Sequence, residues 1–567
     1  MKFTFGNNFK HEIIKSLTQD ELVSLSVSIR NEIIDKCSRF GGHLSSNLGV
    51  VDLTIALFKS FNFPTDKVIY DVGHQCYAHK LLSGRSLNNL RQKNGISGFP
   101  KREESIYDCY ETGHSSTSIS AAMGLALTRD LNKENYEIIA VIGDGSIVNG
   151  LALEALNCLE SFNHKIIIIL NDNNMSIAET VGAIQKTSDN SVFKQLGLDF
   201  IDNVDGHNFK ELDKAFKLAK KSSKSVIIRI KTTKGKGYKF AENDEVGLWH
   251  SVSKFDINTG LSIENKTTWS DIYASLLYDI MRDDKNITIA PATAIGSSLN
   301  QILKDYPTRA FNVGIAEEHA VTLASGIASN NFHPYVSIYS TFLQRAYDQL
   351  NHDIARTNLP VTFLIDRVGL VGNDGQTHQG IFDLAMLYSL PNMAVAMAKD
   401  SNQAGELMRI STEIMVPFAI RYPKGSATIN NNHTPLKYGD WQYDKTSDSK
   451  FIAVVSYGPK LIELEEKFKD YDISIVNAIF QKPLNKDFLN DLLSYQNIII
   501  YDPYSIKDGF ALNMLNNLNE LNYGGKVKVI TLKDKFTSHA SVKQQEEENQ
   551  VDIESILNTV KEVMLWK

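Results

Sequence analysis

Short apolar runs recur along this chain, separated by stretches whose apolar residues fall at three- and four-residue spacing. Val68–Val72, Ile138–Ile142, Lys165–Leu170 and Ser225–Lys231 read as buried strands of a first block. Ile287–Pro291, Tyr335–Tyr339, Val361–Asp366 and Pro417–Tyr422 form a second set. Phe451–Val455, Ile473–Val476, Ile498–Tyr501 and Val527–Ile530 form a third. Strands alternating with helical patterns predict parallel α/β sheets. Polar crossings at Asp256–Thr267 and Gly425–Lys450 read as linkers. The expected division is therefore 1–260, 268–425 and 445–567.

Within the first block, GDGSIVNGLALEALNCLESFNHKIIIILNDNN (Gly143–Asn174) reads as the end of one strand, an acidic turn, a helix over Leu151–Leu159, a second strand and a second polar turn. A right-handed crossover puts both turns on the same carboxyl edge of a parallel sheet, where such sheets bind ligands. Asp144 and Asn173, 29 positions apart, can then offer oxygen atoms to one hard divalent cation, which completes its shell with phosphate and water. A lone GDG is ordinary turn chemistry. The second Asn-rich turn at the tip of the next strand is what points to a site.

At 567 residues the chain exceeds one core, and its 43% apolar and 22% charged content is that of a globular protein. A net charge of −7 without a basic cluster argues against general nucleic-acid binding. The lysines of Lys214–Lys224 punctuate a helical pattern and read as a solvated face. Cys37, Cys76, Cys109 and Cys158 lack CxxC spacing, which fits a reducing compartment. Neither a signal-peptide core nor an 18-residue apolar run is found, so no membrane association and a cytoplasmic location are expected.

Several histidines sit in glycine- or serine-rich settings: His43 in GGHLSSNLG, His74 in DVGHQCYAHK, His114 in TGHSSTS and His378 in DGQTHQG. One such residue would be an ordinary core histidine; four beside strand ends suggest a polar reaction pocket. His74 and His79 are five apart and lack the spacing of a helical zinc pair. GIAEEHAV (Gly314–Val321) opens a helix, where either glutamate could simply answer the helix dipole. YSTFLQRAYDQ, LIDRVGLVGNDGQTHQG and RYPKG add Arg345, Arg367, Asp374 and Lys424 near strand ends, with Arg367 and Lys424 a possible phosphate clamp.

Taken together these motifs resemble the thiamine-diphosphate-dependent transketolase superfamily and, within it, the 1-deoxy-D-xylulose-5-phosphate synthases. HLSSNLGVVDLTIAL, YDVGHQCYAHKLLSGR, GHSSTSISAAMGLA, the GDG–NDN pair, NMSIAETVGA, KGKGY, GIAEEHAV, YSTFLQRAYDQ and DGQTHQG carry the resemblance, in the family's order, over about 380 residues. It implies three consecutive parallel-sheet α/β domains: a thiamine diphosphate-binding fold plus a transketolase C-terminal domain. It also implies condensation of pyruvate with glyceraldehyde 3-phosphate, release of carbon dioxide, and a homodimer whose site is completed within one chain. In that likeness Asp144, Asn173 and the carbonyl of Met175 hold magnesium, and Glu317 hydrogen-bonds the aminopyrimidine. His74, Gly113, His114, Ser115, Gly145, Ser146, Asn173 and Tyr238 match cofactor-contacting positions. Phe342 matches the residue packing on the pyrimidine, and His250 a further pocket histidine. His43, His378 and Asp374 match groups handling protons and substrate oxygens. Tyr339, Arg345, Arg367 and Lys424 match the substrate- and phosphate-recognising group.

Three departures stand out. Lys424 replaces an arginine and loses its bidentate fork. The segment from Ala183 to Phe200 is some 50 residues shorter than the family's. IIIYDPYSIKDGFALN replaces an acidic strand end and glycine-rich turn in the third block. Two other readings are a transketolase moving two-carbon units between sugar phosphates, and a degenerate paralogue that binds the cofactor without turnover.

Overall fold

The computed structural model describes residues 3–173, 182–183, 193, 195–263 and 266–566. Continuous apolar runs become central strands because both faces of each sheet are covered. In β2 (Ile138–Gly143) and β3 (Ile167–Asp172), Ile139, Val141, Ile167 and Ile169 join one apolar cluster. Their neighbours Ile138, Ala140, Ile142, Ile168 and Leu170 join another on the opposite face. Side chains alternate across a strand, so a run buried on both sides has no polar phase.

β1 (Lys67–Tyr70), β4 (Asp199–Asp205) and β5 (Val226–Lys231) complete the first sheet, all parallel, in the order β1-β2-β3-β5-β4. The second sheet contains β6 (Asn286–Ala290), β7 (Ala310–Asn312), β8 (His333–Tyr339), β9 (Thr362–Val368), β10 (Ala394–Met397) and β11 (Phe418–Pro423). Its order is β15-β10-β11-β9-β8-β6-β7, where β15 (Phe480–Lys482) arrives from late in the chain and pairs antiparallel. The third has the order β12-β14-β13-β16-β17. Its strands are β12 (Gln442–Lys445, antiparallel), β13 (Ile452–Ser456), β14 (Ser474–Asn477), β16 (Asn497–Ile506) and β17 (Lys526–Leu532).

By compactness the chain falls into two units, Met1–Asn265 with Gly314–Ala316, and Lys266–Val313 with Glu317–Lys567. The first boundary falls in the polar crossing read as a linker. The other crossing, Gly425–Lys450, lies inside the second unit and contributes β12. Among the described residues, no helix is long and apolar enough to cross a membrane.

The second and third sheets share one core, in which Val336, Phe363 and Ile365 pack with Ala453, Val455, Ile498 and Ile500. A charged chain is buried beside it. Arg421 on β11 donates from Nε and Nη2 to Asp383 at 2.8 and 3.0 Å, with neither side chain exposed. Arg421 Nη1 also reaches the Tyr457 hydroxyl, which donates to Asp502 at 2.6 Å. Asp383→Ala would strand the guanidinium, so it should destabilise the second unit by about 3–5 kcal/mol. Replacing both partners, Asp383→Leu with Arg421→Met, should recover most of that loss. Denaturant unfolding checks both, and an unchanged midpoint for the single variant would contradict the reading.

Candidate functional site

In the first unit the carboxyl ends of β1, β2, β3 and β5 carry the chemistry. β2 ends at Gly143, and Asp144 opens a short turn of helix with its carboxyl buried. Gly145 N donates to Asp144 Oδ1 at 2.8 Å and Asn173 N to Oδ2 at 3.3 Å, so the two turns expected to converge do meet. Met175 lies outside the described residues, as does most of the 183–200 segment. The loop holding Gly113, His114 and Ser115 is tied to the Gly145–Ser146 turn by Ser116 Oγ donating to Ser146 O at 2.8 Å. Asp71, directly after β1, fixes that loop by accepting from Ser116 N and Ser118 N at 2.7 and 3.1 Å.

Three of the expected histidines gather in one place. The rings of His43, His74 and His250 form a triangle with centroids 5.3, 5.1 and 5.7 Å apart. Asn47, fully buried, sets it by donating to the carbonyls of His43 (2.6 Å) and His74 (2.7 Å) while accepting from Tyr77 N. The Gly42–Val252 bridge and the Ser45 hydroxyl on Trp249 O bring His250 across. Val72, immediately before Gly73-His74, is β-branched yet sits at φ 59. Strain of that kind persists only where the surroundings over-determine it, and it concentrates at functional sites. His79 stands apart, buried against Asp108, which Arg85 also holds at 2.6 and 2.8 Å.

Electrostatics mark the same edge. Burial, then the neighbouring Asp172, push the Asp144 carboxyl up to about 6. Asp172 itself is paired with Arg229 Nη2 at 2.5 Å. Lys234, almost fully buried just beyond β5, is lowered to about 8 by burial, opposed by Asp144 and Asp244. Burial, then Lys234 and the two neighbouring histidines, hold His250 well below 6.5, so it is neutral near pH 7. Tyr238 spends its hydroxyl on Ile257 O at 2.9 Å and packs its ring among Phe240, Trp249 and Phe255.

In the second unit, Glu317 opens the helix Glu317–Ala328 and is buried. Burial pushes its carboxyl up to about 7, against the nearby Arg345, whose Nη1 lies 3.7 Å from Oε2. Oε2 is buried and makes no hydrogen bond among the described residues. Tyr339 and Phe342 stack at 5.8 Å, and Phe342 meets His378 edge-on at 5.7 Å. Thr377 Oγ1 lies 2.8 Å from His378 Nδ1. Arg367 donates to the Tyr339 hydroxyl at 2.7 Å and lies over its ring at 4.1 Å. The Gly369–Gly380 bridge folds the DGQTHQG loop back on β9. Lys424 pairs with Asp374 at 2.9 Å.

Several residues here escaped the sequence reading: Asp71, Asn47, Lys234, Gly296 and Asp366. A Cβ on Gly296 would lie 1.8 Å from the Tyr339 hydroxyl, so only glycine admits that tyrosine. Asp366 accepts from Ser270 Oγ at 2.9 Å beside Arg367. Asp71 carried a usable signal, since it follows a buried strand directly, as Asp144 does.

Residues 8–191 match the family described as 1-deoxy-D-xylulose-5-phosphate synthase. Residues 265–429 match the transketolase pyrimidine binding domain. A 1-deoxy-D-xylulose-5-phosphate synthase of Clostridium acetobutylicum is 40% identical over 607 residues, covering 96% of this chain and 97% of the relative. One from Listeria monocytogenes serotype 4b is 41% identical over 589 residues, covering 97% and 96%. Among solved structures, a transketolase from Campylobacter jejuni aligns over 97% of this chain and 99% of its own, at 18% identity and a TM-score of 0.44.

The raised Glu317 carboxyl has a stability consequence with a definite sign. Between its ordinary value of 4.5 and about 7, the folded protein keeps a proton there that the unfolded chain has released. Stability therefore falls as pH rises through that window, by on the order of 3 kcal/mol. Glu317→Gln should abolish this contribution. Denaturation of both proteins at pH 5 and pH 7.5 checks it, and a pH-independent difference between them would contradict it.

Proposed function

The chain belongs to the 1-deoxy-D-xylulose-5-phosphate synthase family, and from that premise we propose how its own residues carry the reaction. The enzyme condenses pyruvate with D-glyceraldehyde 3-phosphate to 1-deoxy-D-xylulose 5-phosphate, releases carbon dioxide, and depends on thiamine diphosphate. That cofactor, when bound, supplies the electron sink that decarboxylation and carbon–carbon bond formation need.

The observation carrying the proposal is Glu317: a buried carboxyl, raised to about 7 by that burial against the pull of Arg345. A group in that state can hold or pass a proton at Oε2 near neutral pH, which suits the ring nitrogen of an aminopyrimidine. In the first unit, Asp144 and Asn173 would offer hard oxygen ligands at adjacent strand tips to a magnesium ion, whose charge would hold a diphosphate there. Lys234 adds positive charge that acts on Asp144. Gly113, His114, Ser115, Gly145 and Ser146 line the joined turns. Neutral His250 with His43 and His74 offers acceptors that exchange protons with substrate oxygens. In the second unit Phe342 offers a ring face, His378 a proton-transfer group, and Arg345 a cation beside Glu317. Tyr339, Arg367, Asp374 and Lys424 bind substrate oxygens and the acceptor phosphate. With Lys424 in place of a forked donor, phosphate is held as by a point charge. Residency in the cytoplasm as a homodimer completes the proposal.

Incubation with pyruvate and glyceraldehyde 3-phosphate should release carbon dioxide in step with product, which two-carbon transfer between sugar phosphates does not. Glu317→Ala should lower turnover by about 10²–10⁴-fold while cofactor uptake survives. Release of no carbon dioxide would overturn the reading, and near-normal turnover of the variant would remove Glu317 from it.

A further inference from the structure

Lys234, whose charge acts on Asp144, sits in a loop, Thr232–Tyr238, whose backbone is held from several directions. Thr232 N donates to Asp172 O at 3.0 Å and Gly235 N to Ser45 O at 2.9 Å. Between them, Thr233 N donates to Nε2 of His207 at 2.8 Å. The other ring nitrogen of His207, Nδ1, lies 2.7 Å from Asp52 Oδ2. Asp52 is buried, and Arg30 grips it from Nη2 at 2.6 Å and Nη1 at 3.3 Å.

These contacts allow one tautomer. A carboxylate at Nδ1 keeps the proton there, and Nε2 presents a lone pair to the Thr233 amide. Protonation at Nε2 would set two donors face to face. Arg30 touches the same loop again: Gly237 sits at φ 89, and a Cβ there would come within 2.9 Å of Arg30 Cδ. The network therefore contacts the loop on both sides of Lys234. Other charged groups around the ring are Asp205, which accepts from His207 N at 2.9 Å, and Glu211, which accepts from Asp205 N.

The geometry assigns His207 as a positioning residue: Arg30 and Asp52 fix its tautomer, and its Nε2 fixes the Thr233 amide and so the loop that carries Lys234. The consequence for cofactor binding rests on the function proposed above; the His207–Thr233 bond does not. Second-layer partners of this type cost 10–100-fold in affinity when removed.

Two variants of similar bulk separate acceptor from filler. His207→Leu fills the space without a lone pair, whereas the Oε1 of His207→Gln can still accept. In the full-length protein without ligands, hydrogen–deuterium exchange of the 232–238 peptide should speed up in H207L and stay near wild type in H207Q. Titration with thiamine diphosphate and magnesium should show about a 10–100-fold weaker Kd for H207L and a change within about threefold for H207Q. Unchanged protection in H207L overturns the assignment. So does lost protection with unchanged affinity, or H207Q falling as far as H207L. The nitrogen-15 spectrum of histidine-labelled wild type gives an independent check: His207 should be the neutral Nδ1–H form at neutral pH, and any other form overturns the proposal. If wild type takes up no thiamine diphosphate, the cofactor reading fails, and exchange and tautomer still decide the bond.

Discussion

Asp144 keeps a carboxylate out of water at the tip of a buried strand, and the surrounding architecture is arranged to make that tenable. Two backbone amides donate to it, one from its own turn and one from the turn after the next strand. A second acid, Asp172, stands near enough to raise it and is itself answered by Arg229. Lys234 brings a buried ammonium to the same place. A buried charge cluster of this kind is costly unless paired, and a divalent cation reverses the local electrostatics. The loops after β1 and β5, the Asn47 anchor and the His207 network hold this arrangement in register.

The second unit solves a related problem differently. Glu317 is buried, and that burial outweighs the nearby Arg345, so its neutral form is favoured and its proton is available near pH 7. Tyr339, Arg367 and Phe342 form a stacked platform next to His378, and Arg367 at the end of β9 adopts φ 61. Val72 at φ 59 marks the equivalent strain in the first unit. Both lie just where a sheet hands the chain to a functional loop.

Much of this was legible in the sequence, for identifiable reasons. β2, β3 and β13 are covered on both faces, so each carries an apolar run of at least four residues with no polar phase. β4 reads DFIDNVD, mostly part-exposed and bulged, and offers no such run. β10 is four small or slim residues, and β15 pairs antiparallel from a distant part of the chain. Asp144 and Asn173 could be matched because one crossover joins their strands. Lys234 could not, because only the order β3-β5-β4 brings the end of β5 beside the end of β3, and local pattern carries no strand order. Tyr238 sits in a motif that suggests a ligand contact, yet its hydroxyl is spent on a backbone carbonyl. The alignment with the Clostridium relative spans 607 positions against a chain of 567, so at least 40 of its positions have no counterpart here.

Calorimetric titration of the folded protein with thiamine diphosphate, with and without magnesium, bears most directly on the central claim. Saturable uptake that requires the metal, and is weakened at least about tenfold by Asp144→Ala, is the predicted result. Metal-independent uptake, or an Asp144→Ala protein that binds as tightly as wild type, would contradict it.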